Sequence, residues 1–136
     1  MSRSVEIVRT AFERFTTASL FDVLAADVEW HVRSDLTDAG TYRGHEGMRQ
    51  LLKHFGEILD DLWIEPLEFI ESGEATVIVP LRWGGTGKGS GIEIEERGGE
   101  TWVFTVRHGK IARVDEFPTR EQALEAAGPG TTRRAT

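Results

Sequence analysis

This sequence contains no cysteine, no long apolar run and no cluster of basic residues, and each absence excludes certain functional classes. The absence of cysteine excludes thiol catalysis, disulfide scaffolds and cysteine-rich zinc sites. No apolar stretch reaches the roughly 18 residues of a membrane-spanning helix. The first ten residues, MSRSVEIVRT, lack the apolar core of a signal peptide. We therefore expect a cytoplasmic protein that does not act at a membrane.

The charge balance argues against nucleic-acid binding. The chain has 16 Lys and Arg against 23 Asp and Glu, a net charge of −7, and its basic residues are dispersed. A DNA or RNA binder needs a positive surface that displaces counterions from phosphates. We therefore expect no nucleic-acid partner.

Hydrophobic periodicity predicts the elements. Apolar residues at helical spacing predict a helix over 4–17, a short second helix over 20–24 and a long helix around 48–59. Alternation predicts strands at 28–32, 62–71, 75–83, 91–106 and 110–117. The turn formers of 34–44 predict a loop. Thr119 and Gln122 form a capping box for a last helix that ends at Gly128.

This order predicts an α+β domain. Consecutive strands with short turns form an antiparallel sheet, and the helices must cover one of its faces. A strongly curved sheet that wraps around the N-terminal helices leaves a cone with a mouth where a small ligand could bind. We expect one domain over residues 1–128 and a flexible C-terminal tail over 129–136.

The segment WGGTGKGSG (83–91) raises the possibility of a phosphate-binding loop. In the Walker motif a Ser or Thr follows the Gly-Lys pair, and a helix begins there. Here Gly89 follows Lys88, and the next residues alternate as a strand. The stretch is therefore interpreted as a glycine-rich turn between two strands.

The inward rows of the predicted strands suggest a ligand-binding wall. Val77, Val79, Leu81 and Trp83 form one row, and Trp102, Phe104 and Val106 form another. Plain core packing is the alternative for these residues. The residues predicted to contact a ligand are Phe12, Trp30, Tyr42, Leu52, Phe55, Val79, Leu81, Trp83, Trp102, Phe104 and Val114.

Glu116 is the polar exception in the third row, after Ala112 and Val114. A carboxyl group in an apolar pocket has a raised pKa and could act as a general acid or base. The alternative is that Glu116 lies at a strand end and reaches solvent. Asp115 points outward in this register and is expected to form a surface ion pair.

The four histidines, at 31, 45, 54 and 108, lack the spacing of a metal site, so no metal is expected. His31 is the functional candidate, because it ends a short strand beside the 34–42 loop. Asp35, Asp38 and Tyr42 share that loop. A nucleophile elbow, G-x-S-x-G, is absent from the sequence.

Several segments together resemble the SnoaL-like branch of the nuclear transport factor 2-like, or ketosteroid isomerase-like, superfamily. They are VEWH, TYRGHEGMRQLL, GSGIEIEE, HGKIARVDEF and REQALEAAG, and the similarity spans about residues 3–128. The resemblance implies a curved sheet around helices. It also implies a small-molecule site, although this fold carries cyclases, isomerases, hydrolases and non-catalytic binders.

The family's catalytic residues are only partly retained. Positions that carry polar groups in ketosteroid isomerase-like members fall on Trp30, on Phe12 and on Thr101 or Trp102. In limonene epoxide hydrolase-like members an Arg/Asp pair occupies a central strand, and here Arg82 is out of phase. Their last-strand aspartate aligns near Glu116. Polyketide cyclase-like members use an aspartate and a histidine, for which Glu116 and His31 are the nearest substitutes.

The sequence therefore predicts a protein that binds a small hydrophobic or aromatic molecule in a cone, as a homodimer that associates through its sheet. If it is an enzyme, we expect cofactor-free acid–base chemistry, such as that of an isomerase, cyclase or lyase, with Glu116 and His31 as candidate catalytic residues. A non-catalytic binding or dimerisation module is the alternative, and a filled cone would favour it. Epoxide hydrolase-like chemistry is a further alternative, and it needs a second polar group beside Glu116.

Overall fold

The computed structural model describes residues 2–33, 40–96, 100–128 and 132–135. The helices are α1 (Arg3–Glu13), a 3-10 helix (Ala18–Val23), α2 (Gly44–Ile58) and α3 (Arg120–Ala127). The strands are β1 (Leu24–His31), β2 (Thr41–Arg43), β3 (Leu59–Pro66), β4 (Phe69–Ser72), β5 (Thr76–Gly87), β6 (Glu93–Glu96), β7 (Thr101–Arg107), β8 (Lys110–Phe117) and β9 (Thr132–Ala135). Asp35 and Asp38 lie outside the described residues.

Local signals define where the helices begin. The Ser2 hydroxyl accepts a hydrogen bond from the Val5 amide at 3.1 Å, which caps α1. The predicted capping box opens α3, because the Thr119 hydroxyl accepts from the Gln122 amide at 3.2 Å. Both α1 and α2 bury one apolar face against the sheet, as their periodicity predicts.

The sheet curls because β5 belongs to two parts of it. The first half of β5 pairs with β4 and β7, and its second half pairs with β3 and β6. The curled sheet wraps around α1 and α2, which confirms the predicted α+β cone. One pair departs from the antiparallel expectation: β1 lies parallel to β8, with Trp30 beside Val114.

The glycine-rich stretch is not simply a turn. Strand β5 continues through Gly87, and the chain reverses only after it, at Lys88–Gly91. A Cβ atom on Gly84 would lie 2.6 Å from Cζ2 of Trp63, so glycine is needed where three strands pack closely. The Lys88 ammonium lies 3.6 Å from Oδ1 of Asp60, where it forms an ion pair. The predicted turn is therefore shorter and later than expected.

Further segments differ from expectation. The single strand predicted over 62–71 is divided into β3 and β4, and Thr41–Arg43, within the loop predicted over 34–44, forms β2. In place of the single strand predicted over 91–106, the described residues form β6 and β7, which pair with different parts of β5. Within the predicted flexible tail, Thr132–Ala135 forms β9 antiparallel to β4. This pairing covers a row of backbone groups that β4 would otherwise expose at the sheet edge.

Candidate active site

The inner end of the cone is filled by aromatic side chains, which we call the deep aromatic cluster. The indole rings of Trp30 and Trp102 meet edge to face, with centroids 5.1 Å apart. The Phe12 ring stacks on Trp102 at 6.0 Å. The space left between these side chains is too small for a water molecule. The cluster comprises Phe12, Phe15, Trp30, Trp102 and Phe104.

A small cavity lies on the mouth side of this cluster, and we call it the mouth cavity. Its volume is about 30 Å³, enough for one or two water molecules. Two carboxyl groups, those of Glu100 and Glu116, face it. Its apolar walls are Phe15, Phe55, Leu62, Ile64, Trp83 and Trp102.

Glu116 lies inside the cone, as the alternation of β8 predicts. Only 8% of the residue is exposed. The Trp30 indole N–H donates to its Oε2 at 2.6 Å, and the Arg33 amide approaches its Oε1 at a long 3.5 Å. Oε1 is therefore the more weakly bonded oxygen. The Glu116 side chain lines the mouth cavity.

Burial, the larger cause, and the charge of nearby Glu100 together raise the pKa of Glu116 to about 8. The hydrogen bond from Trp30 and the contacts with Arg33 lower this pKa and oppose the shift only in part. Near neutral pH the side chain is therefore mostly protonated, and it can donate a proton. Asp115, the residue before Glu116 in β8, faces outward and pairs with Arg113 at 2.9 Å, as predicted.

Glu100 is equally buried but differently bonded. The Arg33 guanidinium donates to its Oε1 at 2.6 Å, with side-chain exposures of 11% for Arg33 and 3% for Glu100. The Trp102 indole donates to Oε2 at 2.6 Å, and the Trp83 indole approaches Oε1 at 3.3 Å. An arginine partner and two further donors stabilise the charged carboxylate.

Sequence reasoning missed Glu100 and Arg33. Alternation could have found Glu100, because it lies two residues before Trp102, whose inward orientation was predicted. No comparable signal marked Arg33, which follows β1 and precedes a segment rich in turn formers. Both look like ordinary loop charges in the sequence.

His31 is not brought to the mouth cavity. It follows Trp30 in β1 and so points to the opposite face of the strand. Its Nε2 lies 3.1 Å from Glu29 Oε1, and its Nδ1 lies 2.9 Å from the Thr41 hydroxyl. The predicted partnership of His31 with Glu116 is therefore not formed.

The predicted ligand-binding residues fall into three groups. Phe55, Trp83 and Trp102 line the mouth cavity. Leu52 lines a separate groove beside it, and Tyr42 packs at the edge of the core. The remaining predicted residues are buried within the core: Phe12, Trp30, Val79, Leu81, Phe104 and Val114.

Within the described ranges, His, Asp and Glu side chains do not gather into a group of three that could hold a metal ion. In the same part of the chain, every helix is too short or too polar to cross a membrane.

Among solved structures, three illustrate the similarity. An NTF2-like protein of unknown function from Burkholderia pseudomallei K96243 has a TM-score of 0.72 and 21% identity, covering 95% of this chain and 100% of its own. A putative SnoaL-like polyketide cyclase from Jannaschia sp. CCS1 has a TM-score of 0.69 and 18% identity, covering 93% of each chain.

The third is a hypothetical protein with a ketosteroid isomerase-like fold from Catenulispora acidiphila DSM 44928, in complex with trimethylamine. It has a TM-score of 0.70 and 17% identity, covering 90% of this chain and 92% of its own. At such identities these likenesses establish the fold. No curated protein matches the chain significantly. The sequence itself matches the family described as the SnoaL-like domain over residues 5–114. The chain therefore belongs to the SnoaL-like domain family.

Proposed function

We propose that this protein is a cofactor-free acid–base enzyme that acts on a small hydrophobic or aromatic carbonyl compound, with Glu116 as its catalytic residue. The observation that carries the proposal is a buried carboxyl group that lines a cavity, is protonated near neutral pH and has one weakly bonded oxygen. Such a group is suited to proton transfer, since a catalytic pKa near the working pH is the most effective.

The two buried carboxyl groups divide the chemistry between them. Protonated Glu116 donates to the carbonyl oxygen or to an enol carbon of the substrate. As a carboxylate it removes an α-proton, and returning that proton to another carbon completes an isomerisation without net proton change. Glu100 is held by three donors, so it positions the indoles of Trp83 and Trp102 and raises the pKa of Glu116.

Deuterium exchange at the α-carbon of phenylacetone in D2O, followed by NMR, tests this role without knowledge of the natural substrate. We expect the protein to accelerate exchange, and the rate to rise through about pH 8 as the Glu116 carboxylate forms. The Glu116→Gln variant should lose the acceleration, and Glu65→Gln, an exposed residue of β3, should keep it. Unchanged exchange in a folded Glu116→Gln variant would exclude Glu116 as the catalytic residue.

The likeness to a putative polyketide cyclase supports the same class of substrate, because cyclisation of a polyketide proceeds through enolisable carbonyl groups. The fold alone does not carry this proposal, because the same architecture serves unrelated functions.

A second candidate is a binding protein without catalysis, and the filled inner end of the cone favours it. The Catenulispora protein holds trimethylamine, and aromatic walls with a carboxyl group suit a small amine cation. A bound cation would favour the Glu116 carboxylate. Titration calorimetry with trimethylammonium chloride in two buffers would then report proton release on binding, which Glu116→Gln abolishes.

Epoxide hydrolase-like chemistry requires a second polar group beside Glu116, and Glu100 meets that requirement by position. Its two oxygens are engaged by Arg33, Trp83 and Trp102, which makes it a poor base for activating water. Hydrolysis of styrene oxide by the wild type and its loss in Glu100→Gln would favour this candidate over the isomerase.

The assembly and location of the protein remain proposals. We propose a homodimer that associates through the sheet, and a cytoplasmic location. Light scattering after size exclusion would test the first, since a monomer across micromolar concentrations would contradict it. Fractionation of expressing cells would test the second.

A further inference from the structure

A groove outside the cone runs between the 3-10 helix, α2 and the start of β3. Its volume is about 510 Å³, against about 30 Å³ for the mouth cavity. Pockets that bind drug-sized molecules measure roughly 300 to 1,000 Å³. The groove therefore has the size of a substrate site, whereas the cavity beside Glu116 does not.

The groove and the mouth cavity share their walls. Phe15 lines the cavity and Thr16 lines the groove, and the same succession holds for Phe55 and Gly56 on α2. Leu62 lines both spaces. The two spaces are thus neighbours, and the Leu62 side chain forms part of the partition between them.

Leu62 also lies where the backbone pairing of β3 is irregular. The register with β5 shifts between Asp60 and Trp63, so Asp61 and Leu62 stand between paired positions. Asp61 has φ of 53°, a left-handed conformation that is unusual for a residue other than glycine. Leu62 is only half-buried. Its side chain can therefore turn aside with less disturbance than one in a regular ladder.

We propose that the groove holds the distal part of the substrate, and that the reactive carbonyl passes Leu62 to reach Glu116. This inference rests on the proposed function. Phe21 and Leu52 provide an apolar surface for a ring, while Thr16, Thr17 and Asp61 place polar groups along the groove. The occupant is an elongated, uncharged molecule with a ring and hydroxyl groups, because the Asp61 carboxylate accepts from hydroxyls and repels anions.

Two ketones with the same reactive end distinguish the effect of the groove from that of the catalytic group. Butanone has nothing to place in the groove, and the second ketone carries a hydroxynaphthyl group at the far end of the butanone chain. We expect Gly56→Trp to lower kcat/KM for deuterium exchange of the long ketone by about 10-fold or more, through displacement from the productive position. Gly56 lines the groove but not the mouth cavity, and a Cβ atom there would meet nothing within 4 Å. Exchange of butanone should stay within about threefold.

Leu67→Trp is the matched control, because Leu67 is 56% exposed and lies outside both spaces. It should leave both ketones unaffected. Urea unfolding of the variants shows that each is folded. Glu116→Gln must abolish exchange of both ketones, so a failure of the proposed function is distinguishable from a failure of the groove.

Binding gives a readout that does not depend on turnover. Titration of the long ketone should shift the backbone amide signals of Thr16, Thr17 and Ala18 in NMR spectra, and butanone should not. Equal losses for both ketones in Gly56→Trp, or shifts confined to other regions, would overturn the proposal. Shifts of the same three amides with protein concentration alone would also overturn it, because a second copy of the chain would then occupy the groove.

Discussion

The deep aromatic cluster and the mouth cavity are built from some of the same side chains, yet they have opposite chemical character. In the cluster, the rings of Trp30 and Trp102 pack against phenylalanines, and the space between these side chains is too small for water. At the mouth, the indole N–H groups of the same two tryptophans donate to Glu116 and Glu100. Tryptophan suits this boundary, because it combines a large apolar ring with one donor.

The two carboxyl groups then differ through their other partners. Besides the Trp102 indole, Glu100 accepts hydrogen bonds from the Arg33 guanidinium and the Trp83 indole. Besides the Trp30 indole, Glu116 has only the long contact with the Arg33 amide. The cone therefore balances one buried charge with an arginine and keeps the other acid protonated near neutral pH. The character of the deep aromatic cluster comes from ring packing, and that of the mouth cavity comes from the number of donors that each carboxyl group receives.

The largest effect should come from the deep cluster. Phe104→Ala removes a ring that is 2% exposed, and we expect the free energy of unfolding to fall by about 4 kcal/mol, since a cavity remains. Phe55→Ala at the mouth should cost about 1 kcal/mol, because that side chain is only partly buried. Urea unfolding measures both. Equal losses would show that the mouth is packed as firmly as the cluster.

Removing the arginine should come next. Arg33→Met leaves Glu100 buried without its main partner, and we expect a loss of about 3 kcal/mol in the free energy of unfolding. It should also raise the pKa of Glu116 further, because the Arg33 charge lowers it. The double variant Arg33→Met with Glu100→Gln should recover part of the stability.

Arg107→Met is the matched control, because Arg107 pairs with Asp27 at 3.5 Å on the surface and its side chain is 57% exposed. It should cost less than about 1 kcal/mol. A similar loss from Arg33→Met would mean that the mouth tolerates an unpaired charge, as a water-filled site would.

The smallest of the three effects, measured per pH unit, is a slope in stability with pH. The folded state holds the Glu116 proton up to about pH 8, whereas the unfolded chain releases it near 4.5. Stability should therefore be highest below pH 4.5, as far as this group contributes, and fall by about 1.4 kcal/mol per pH unit up to about pH 8. Urea midpoints across this range measure the slope.

Glu116→Gln should remove this contribution, and Glu125→Gln, an exposed residue of α3, should preserve it. If the slope of the wild type equals that of Glu116→Gln, the carboxyl group is ionised in the folded protein. The distinction between the two acids would then be lost.

Much of this arrangement could be predicted from the sequence, because it depends on local periodicity. Alternation along β8 indicated that Glu116 faces inward and Asp115 outward, and the structure places them so. The capping box of α3 and the α+β order are signals of the same kind. His31 shows the limit: its nearness to a possible mouth suggested a role, but the strand directs its side chain to the opposite face.

What the sequence by itself determined is which residues alternate or recur, and therefore the elements, the curled α+β fold and the inward position of Glu116. Only the tertiary structure decided that Glu100, Arg33 and three tryptophans meet Glu116, since β1, β5, β7 and β8 bring together residues up to 86 positions apart. It also decided that the cone is filled at its inner end and that Leu62 separates a small cavity from a larger groove. Protonation and volume depend on what surrounds a side chain in space, and local periodicity carries no record of those surroundings.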